Sequence, residues 1–327
     1  MVRAPLTGDE RAASTPEGAT NGGFRWQKRP ISGLPRRMIT ESAGDLLARC
    51  TFPPAGAPLV CAVSGGADSL ALMVLAVAAG CEVTAVHVDH GLRAESAGEG
   101  GVVAAAASRY GVAFRSVQVE LAAGGNLEAR ARAARRAALP AGAATGHTAD
   151  DQAETILLNL LRGAGLDGLA GIRPGPTKPL LALRRFETHA LCSAEGLVPV
   201  QDPSNSDPAF RRNRVRHELL PLLDEIAERD VVPVLVRQAA LLRDEADLLD
   251  DLSAGIDSGD AGALAAAPAA LARRALRALL SDGEHPPSSA AMERVMAVAR
   301  GEFTACELEG GRRVSRSRGR LRVERAE

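Results

Sequence analysis

Aromatic residues are scarce in this chain, at 2% of 327 positions. A core without them must be assembled from the Ala, Leu and Val that dominate the 46% hydrophobic fraction, which is ample for one large core or two smaller ones. No run of about 18 uninterrupted apolar residues occurs, which argues against a membrane helix. Nor does the N-terminus have the charged-then-apolar pattern of a secretory signal. The five cysteines (Cys50, Cys61, Cys81, Cys192 and Cys306) never fall within four residues of one another. That spacing excludes a local C-x-x-C zinc or iron–sulfur pair and a disulfide framework, and it suits a reduced, cytoplasmic protein. Lysine is missing almost entirely. It stands only at Lys28 and Lys178, so nearly all positive charge is arginine, whose planar fork suits phosphate. The net charge of −1 by itself says nothing for nucleic acid.

What is present is strongly patterned. Residues 1–37 are rich in Gly, Pro, Thr and Arg, hold the sole tryptophan, Trp26, and lack periodicity, so disorder is expected. Met38, just ahead of an amphipathic stretch from Ile39 to Cys50, is expected to be the true start. From about residue 59 short apolar runs alternate with Ala-rich helical stretches. Strands are expected at Leu59–Val63, Val83–Val88, Ala113–Val119 and Ala141–Thr145. Helices are expected at Leu70–Ala79, Ala97–Tyr110, Leu127–Leu139 and Asp150–Leu161. Such alternation implies an α/β fold, a doubly wound, mainly parallel sheet with helices on both faces and its ligand beyond the carboxyl ends of the strands. After about residue 222 the pattern becomes mostly helical, with Val231–Leu252, Pro268–Leu280 (Pro268 in the first turn) and Pro286–Arg300. Residues 302–325 read as short strands or a tail around a Gly310-Gly311 turn. The expected organisation is an N-terminal extension (1–37), an α/β domain (38–222) and a smaller, mostly helical region with a basic C-terminal tail (223–327).

Five segments carry chemistry. Ser64-Gly65-Gly66-Ala67-Asp68-Ser69 lies between an expected strand and helix. Its glycines permit a tight turn, and its amides, helix N-terminus and two hydroxyls form an anion cradle. Neither G-x-x-x-x-G-K-[ST] nor a G-x-G-x-x-G after this strand is present. His87-Val88-Asp89-His90-Gly91-Leu92-Arg93 ends the second strand. Alternation puts His87 and Asp89 on one face and His90 on the other, which disfavours a metal site within the segment. Gly146-His147-Thr148-Ala149-Asp150-Asp151-Gln152-Ala153-Glu154 opens a helix. Asp150 or Asp151 alone would be explained by the helix dipole. Together with Glu154, at i,i+4 and i,i+3, they form a cluster that needs a cation, Mg²⁺ or an ammonium group. Leu160 to Ile172 is glycine-rich C-cap material. Asp202-Pro203-Ser204-Asn205 is turn chemistry, and the Arg211-Arg212-Asn213-Arg214-Val215-Arg216 run after it reads as a solvated helix start or a phosphate grip.

The Ser64–Ser69 string resembles the PP-loop of the N-type ATP pyrophosphatases. Taken in order with the other four segments and with Asn126-Leu127-Glu128-Ala129-x-Ala131-Arg132-x-x-Arg135, it resembles the tRNA(Ile)-lysidine synthases over Leu59 to Pro221, roughly half the chain. Arg136 departs from that family's usual tyrosine, which weakens any stacking role there. The resemblance implies a ligase that adenylates C2–O of a wobble cytidine in a CAU-anticodon tRNA(Ile), releases pyrophosphate, and lets free L-lysine displace AMP. It implies ATP with Mg²⁺ as cofactors and no membrane, and a homodimer is compatible with it. Ser64, Gly65, Gly66, Ala67, Asp68 and Ser69 would bind ATP; Asp68, His147, Asp151 and Glu154 would be catalytic; Asp150 and Asp151 are metal candidates. Arg132, Arg135, Arg212, Arg214 and Arg216 are candidates for tRNA contact, and Arg312 to Arg325 form the strongest basic patch. The rival readings are a PP-loop tRNA thiolase, which would need a cysteine relay, an amidotransferase-type synthetase, which would need an ammonia source, and a non-enzymatic RNA-binding module. The last leaves the Ser64 loop and the acidic helix unexplained.

Overall fold

The computed structural model describes residues 41–89, 96–119, 127–281 and 287–325. The expected disorder of 1–37, the Met38 start and His90 to Arg93 lie outside these residues, as do the side chains of Arg132 and Arg135.

After α1 (Glu41–Leu47) the chain alternates β1 (Pro58–Ala62), α2 (Ala67–Ala78), β2 (Glu82–Asp89), α3 (Ser96–Arg109), β3 (Ala113–Gln118), α4 (Leu127–Ala138), β4 (Ala144–Thr145) and α5 (Ala149–Leu161). The four strands pair in parallel in the order β3-β2-β1-β4. The chain therefore winds outward from β1 through β2 to β3 and returns to the other side of β1 with β4. That reversal makes the carboxyl ends of β1 and β4 the switch point, where a ligand crevice opens in such sheets. The expected α/β fold and all four expected strands are found, each within three residues of its expected ends.

Helix α2 is apolar all round, and Leu70 to Ala76 are fully buried. It lies between the sheet and α7 (Arg185–Ala194), so no solvent face is required of it. Residues from β1, β2, α2 and α3, with Leu180, Leu183, Leu191 and Cys192, form the main core.

Beyond α5 come the short α6 (Leu166–Leu169), α7, a 3₁₀ turn (Pro203–Ser206) and α8 (Arg211–Arg214). A wide π-helical turn (Val215–Leu219) leads into α9 (Leu220–Ala227) and the long α10 (Val232–Ala254). Ala149, Ala153, Leu157 and Leu158 of α5 share a second core with Val215, Leu220 and Val232. The acidic helix is thus anchored by its apolar side, which leaves its carboxylates to face the switch point.

The C-terminal part contains α11 (Ala261–Ala266), α12 (Ala269–Leu280) and α13 (Ser289–Arg300) packed on an antiparallel sheet, β5 (Ala305–Leu308), β6 (Arg312–Ser317) and β7 (Arg320–Arg325). Of the two readings of residues 302–325, strands hold and the tail does not. Val314 and Leu321 are buried with Leu308 against α13, so alternate positions of the arginine-rich stretch are committed to a core. Pro268 precedes α12 as its N-cap rather than entering its first turn. Its carbonyl accepts from the amides of Leu271 and Ala272, a role that needs no N–H of its own. Arg274 of α12 pairs with Asp250 of α10 and Asp167 of α6, and Arg277 lies 2.6 Å from the same Asp167. Among the described residues no helix is long and apolar enough to cross a membrane.

Leu276 has no exposed surface in the C-terminal core. Leu276→Ala should therefore cost about 2–5 kcal/mol of stability. Urea denaturation followed by circular dichroism checks this; an unchanged midpoint would contradict the assigned packing.

Candidate active site

The turn after β1 and the start of α5 meet at the switch point. Gly65 adopts φ +91°, a conformation that side chains avoid, and Gly66 caps α2, whose first residue is Ala67. The Ser69 hydroxyl donates to the Gly66 carbonyl at 2.8 Å and accepts from the Ser64 amide at 3.1 Å, which closes the turn upon itself. The first-turn amides of α2 then point out of its N-terminus, a geometry suited to an anion. Gly146, after β4, lies directly against this turn. A Cβ there would sit 2.5 Å from the Asp68 carbonyl oxygen, so only glycine allows the two segments to touch.

Thr148 precedes α5 and is fully buried. Its amide and hydroxyl both donate to Asp151 Oδ2, at 2.8 and 3.0 Å, so one carboxylate oxygen caps the helix. Oδ1 of Asp151 accepts from Arg185 at 3.1 Å and from Arg212 at 2.8 Å. Glu154, one turn on and almost wholly buried, accepts from the same two arginines at 2.9 and 2.6 Å. The Arg185 Nε lies 3.5 Å from Asp68 Oδ2 as well. The other Asp68 oxygen accepts from the Thr188 hydroxyl, one turn further along α7.

The charges respond accordingly. Burial pushes the Asp68 carboxyl above its usual range, and Thr188 and Arg185 only partly offset this. Burial also acts on Asp151, but Arg185, Arg212 and the Thr148 amide outweigh it and hold that carboxyl below its usual range. For Arg185 burial opposes the charge, and the facing Asp151, Glu154 and Asp68 override it, so the guanidinium is held firmly charged. Arg216 is half-buried, and burial together with Arg185 lowers its pKa.

The cation that the acidic cluster requires is thus a pair of the chain's own guanidinium groups. The cluster also holds two carboxylates rather than three. Asp150 turns aside to Arg184, which it meets through both oxygens at 3.2 Å, and to the Arg185 amide at 2.7 Å. Every oxygen of Asp150 and Asp151 is engaged by an arginine or a helix cap, so this donor set does not fit a metal ion. Among the described residues no group of three or more His, Cys, Asp or Glu is arranged to hold one.

The remaining expected residues divide between the site and its surroundings. His147 Nδ1 is 2.7 Å from the Thr145 hydroxyl. Arg212 reaches the carboxylates, Arg214 pairs with Glu218 in solvent, and Arg216 lines a cleft of about 480 Å³ with Asp150, Arg184, Arg185, Phe186 and His189. His87 is buried on β2, with Nδ1 3.0 Å from the Val63 carbonyl oxygen, so it serves the sheet. Sequence reasoning missed Arg184, Arg185 and Thr188. The Arg-Arg pair at the start of α7 was a usable signal, since a buried carboxylate cluster must find its cation somewhere in the chain.

A glycine-bearing turn closed by its own hydroxyls at the switch point of a parallel sheet, without a Walker lysine, agrees with the family model described as PP-loop domain, which matches residues 41–223. A tRNA(Ile)-lysidine synthase of Nocardia farcinica is 41% identical over 303 residues, 83% of this chain and 93% of that protein. One of Thermobifida fusca is 38% identical over 324 residues, 90% of this chain and 98% of that protein. The chain belongs to the tRNA(Ile)-lysidine synthase family. Among solved structures, a U34-tRNA thiolase of Methanococcus maripaludis shares the fold, with a TM-score of 0.52 at 18% identity over 62% of this chain and 78% of that one.

Two predictions follow from the geometry. Gly146→Ala should destabilise the fold by about 1–3 kcal/mol through overpacking and weaken nucleotide binding; unchanged stability and ATP affinity, by thermal melt and calorimetry, would contradict the close approach. Because the folded Asp151 carboxyl titrates below its unfolded value near 3.9, its contribution is present above about pH 4 and is lost as pH falls through the folded pKa. Asp151→Asn should therefore lower urea stability more at pH 7 than at pH 3, and equal losses at both would refute the charged pairing.

Proposed function

We propose that this protein ligates free L-lysine to C2 of the wobble cytidine of a CAU-anticodon tRNA(Ile), splitting ATP to AMP and pyrophosphate. The observation that carries this reading is Arg185, which joins Asp68 of the phosphate loop to the Asp151–Glu154 pair in one continuous site. One end suits the phosphates of ATP; the other suits an ammonium group.

In this reading Ser64 to Ser69 hold the phosphates through the α2 N-terminus while cytidine O2 attacks the α-phosphorus and pyrophosphate leaves. One amine of lysine, as its free base, then attacks C2, AMP departs with the oxygen, and the proton displaced from the attacking nitrogen passes to solvent; the other amine stays an ammonium. Asp151 and Glu154 hold the ammonium of lysine where guanidinium groups now lie. Arg212, with 30% of its side chain exposed against 14% for Arg185, is the one that gives way. Arg185 stays to balance charge between the two ends. His147, at the end of β4, faces the reacting base. The cleft of Arg184, Phe186, His189 and Arg216 admits that base once it has left its stacked loop. Asp68, a hard oxygen donor within the loop whose nearest guanidinium stands 3.5 Å away, would hold Mg²⁺ more readily than Asp150 or Asp151; such an ion would neutralise phosphate charge. Residues 223–327 form the RNA-gripping part, in which Arg313 and Arg322 of the exposed sheet face are phosphate contacts, and Arg132 and Arg135 serve likewise. The setting is the cytoplasm.

A thiolase chemistry is not favoured. Burial pushes the thiols of Cys61 and Cys192 up to about 12, which suppresses the thiolate that sulfur transfer needs.

Incubation with ATP, labelled lysine and a CAU-anticodon tRNA(Ile) should place label in the tRNA. AMP formation without lysine transfer would point to a different acceptor. Asp68→Ala should lower pyrophosphate release at least about a hundred-fold while tRNA affinity stays within roughly two-fold; retained turnover would refute the role of Asp68.

A further inference from the structure

Lys178 is the sole lysine among the described residues of a chain that otherwise uses arginine, and it occupies a specific position. Its ammonium donates to the Thr145 hydroxyl at 2.6 Å. The same oxygen lies 2.7 Å from His147 Nδ1 and 3.4 Å from the Thr177 carbonyl oxygen. The backbone fixes all three residues. The Thr145 amide donates to the Thr177 carbonyl at 3.0 Å, which ties the Lys178 segment to the end of β4, and the His147 amide donates to the Thr145 carbonyl at 2.9 Å.

We infer that Lys178 and Thr145 are positioning residues that fix the proton of His147 on Nε2. An ammonium has three donors and no acceptor, so the Thr145 oxygen must accept from Lys178. The hydroxyl has a single proton to give. The two groups within its reach are Nδ1 at 2.7 Å and the Thr177 carbonyl at 3.4 Å, and the second distance exceeds the range of a sound O–H···O bond, so Nδ1 is the acceptor the geometry favours. The proton goes to Nδ1. An imidazole that accepts at Nδ1 is neutral and carries its hydrogen on Nε2. His147 therefore acts as a donor through its far nitrogen, and its ring plane is set by a hydroxyl that a cation has oriented. Replacing Thr145 by valine would remove the hydroxyl that donates to Nδ1 and leave either tautomer accessible.

The kinetic consequence of this assignment rests on His147 facing the reacting base; the tautomer itself does not. The test is ¹⁵N NMR of the full-length protein with labelled histidine, the His147 signals being assigned with His147→Asn. The wild type should show Nδ1 unprotonated and Nε2 protonated. Thr145→Val and Lys178→Met should move both signals toward a tautomer mixture, and Thr145→Ser and Lys178→Arg should restore them. In parallel, Thr145→Val should slow ATP-dependent pyrophosphate release on the order of a hundred-fold and displace its pH profile, while Thr145→Ser remains close to wild type. A protonated Nδ1 in the wild type would overturn the inference, as would a Thr145→Val spectrum identical to it. A protein with the expected spectrum that transfers no lysine would support the tautomer assignment and count against the functional reading alone.

Discussion

The Arg185 guanidinium is the interaction on which the site depends. It touches Asp68 from the turn after β1, and Asp151 and Glu154 from the helix after β4. Three carboxylates from two segments would otherwise repel one another in a half-buried crevice. A buried charge that lacks its partner costs several kcal/mol, so removal of this arginine would be felt at every one of them. Arginine suits the position because its fork can serve several oxygens at once, which an ammonium on one flexible stem cannot do as well.

The surrounding architecture serves that contact. Parallel pairing in the order β3-β2-β1-β4 puts the ends of β1 and β4 side by side, and Gly146 lets them touch. The apolar face of α5 is buried against α9 and α10, which fixes the direction of Asp151 and Glu154. α7 packs on α2 and delivers Arg185 and Thr188 to the loop from above. Phosphate loop, acidic helix and cationic bridge are thus each held by a different part of the core.

Much of this was legible in the sequence. Ser64 to Ser69 could be read because glycines and hydroxyls between a strand and a helix have few other uses. The parallel sheet could be read because β1 and β2 are apolar runs joined through a helix, α2, too long and too Ala- and Leu-rich to be a hairpin turn. The electrostatic partners could not. Asp150, Asp151 and Glu154 look equivalent in sequence, yet the capping of α5 by Thr148 directs Asp151 inward, while Asp150 is drawn to Arg184. Arg185 and Thr188 are more than thirty residues from the carboxylates that they serve, and no local pattern links positions so far apart. The C-terminal arginines look like a tail because their alternation with Val314 and Leu321 is short, and its meaning emerges only when three strands and α13 bury those two residues together.

The claim that one cation makes the two ends a single site is tested most directly with Arg185→Gln, first confirmed as folded by circular dichroism. Under the proposed function, pyrophosphate release in the absence of lysine reads the phosphate end, and the KM for lysine reads the carboxylate end. The account predicts that both deteriorate, each by on the order of ten-fold or more. Loss at one end with the other at its wild-type value would show that the two ends work independently and would contradict the account.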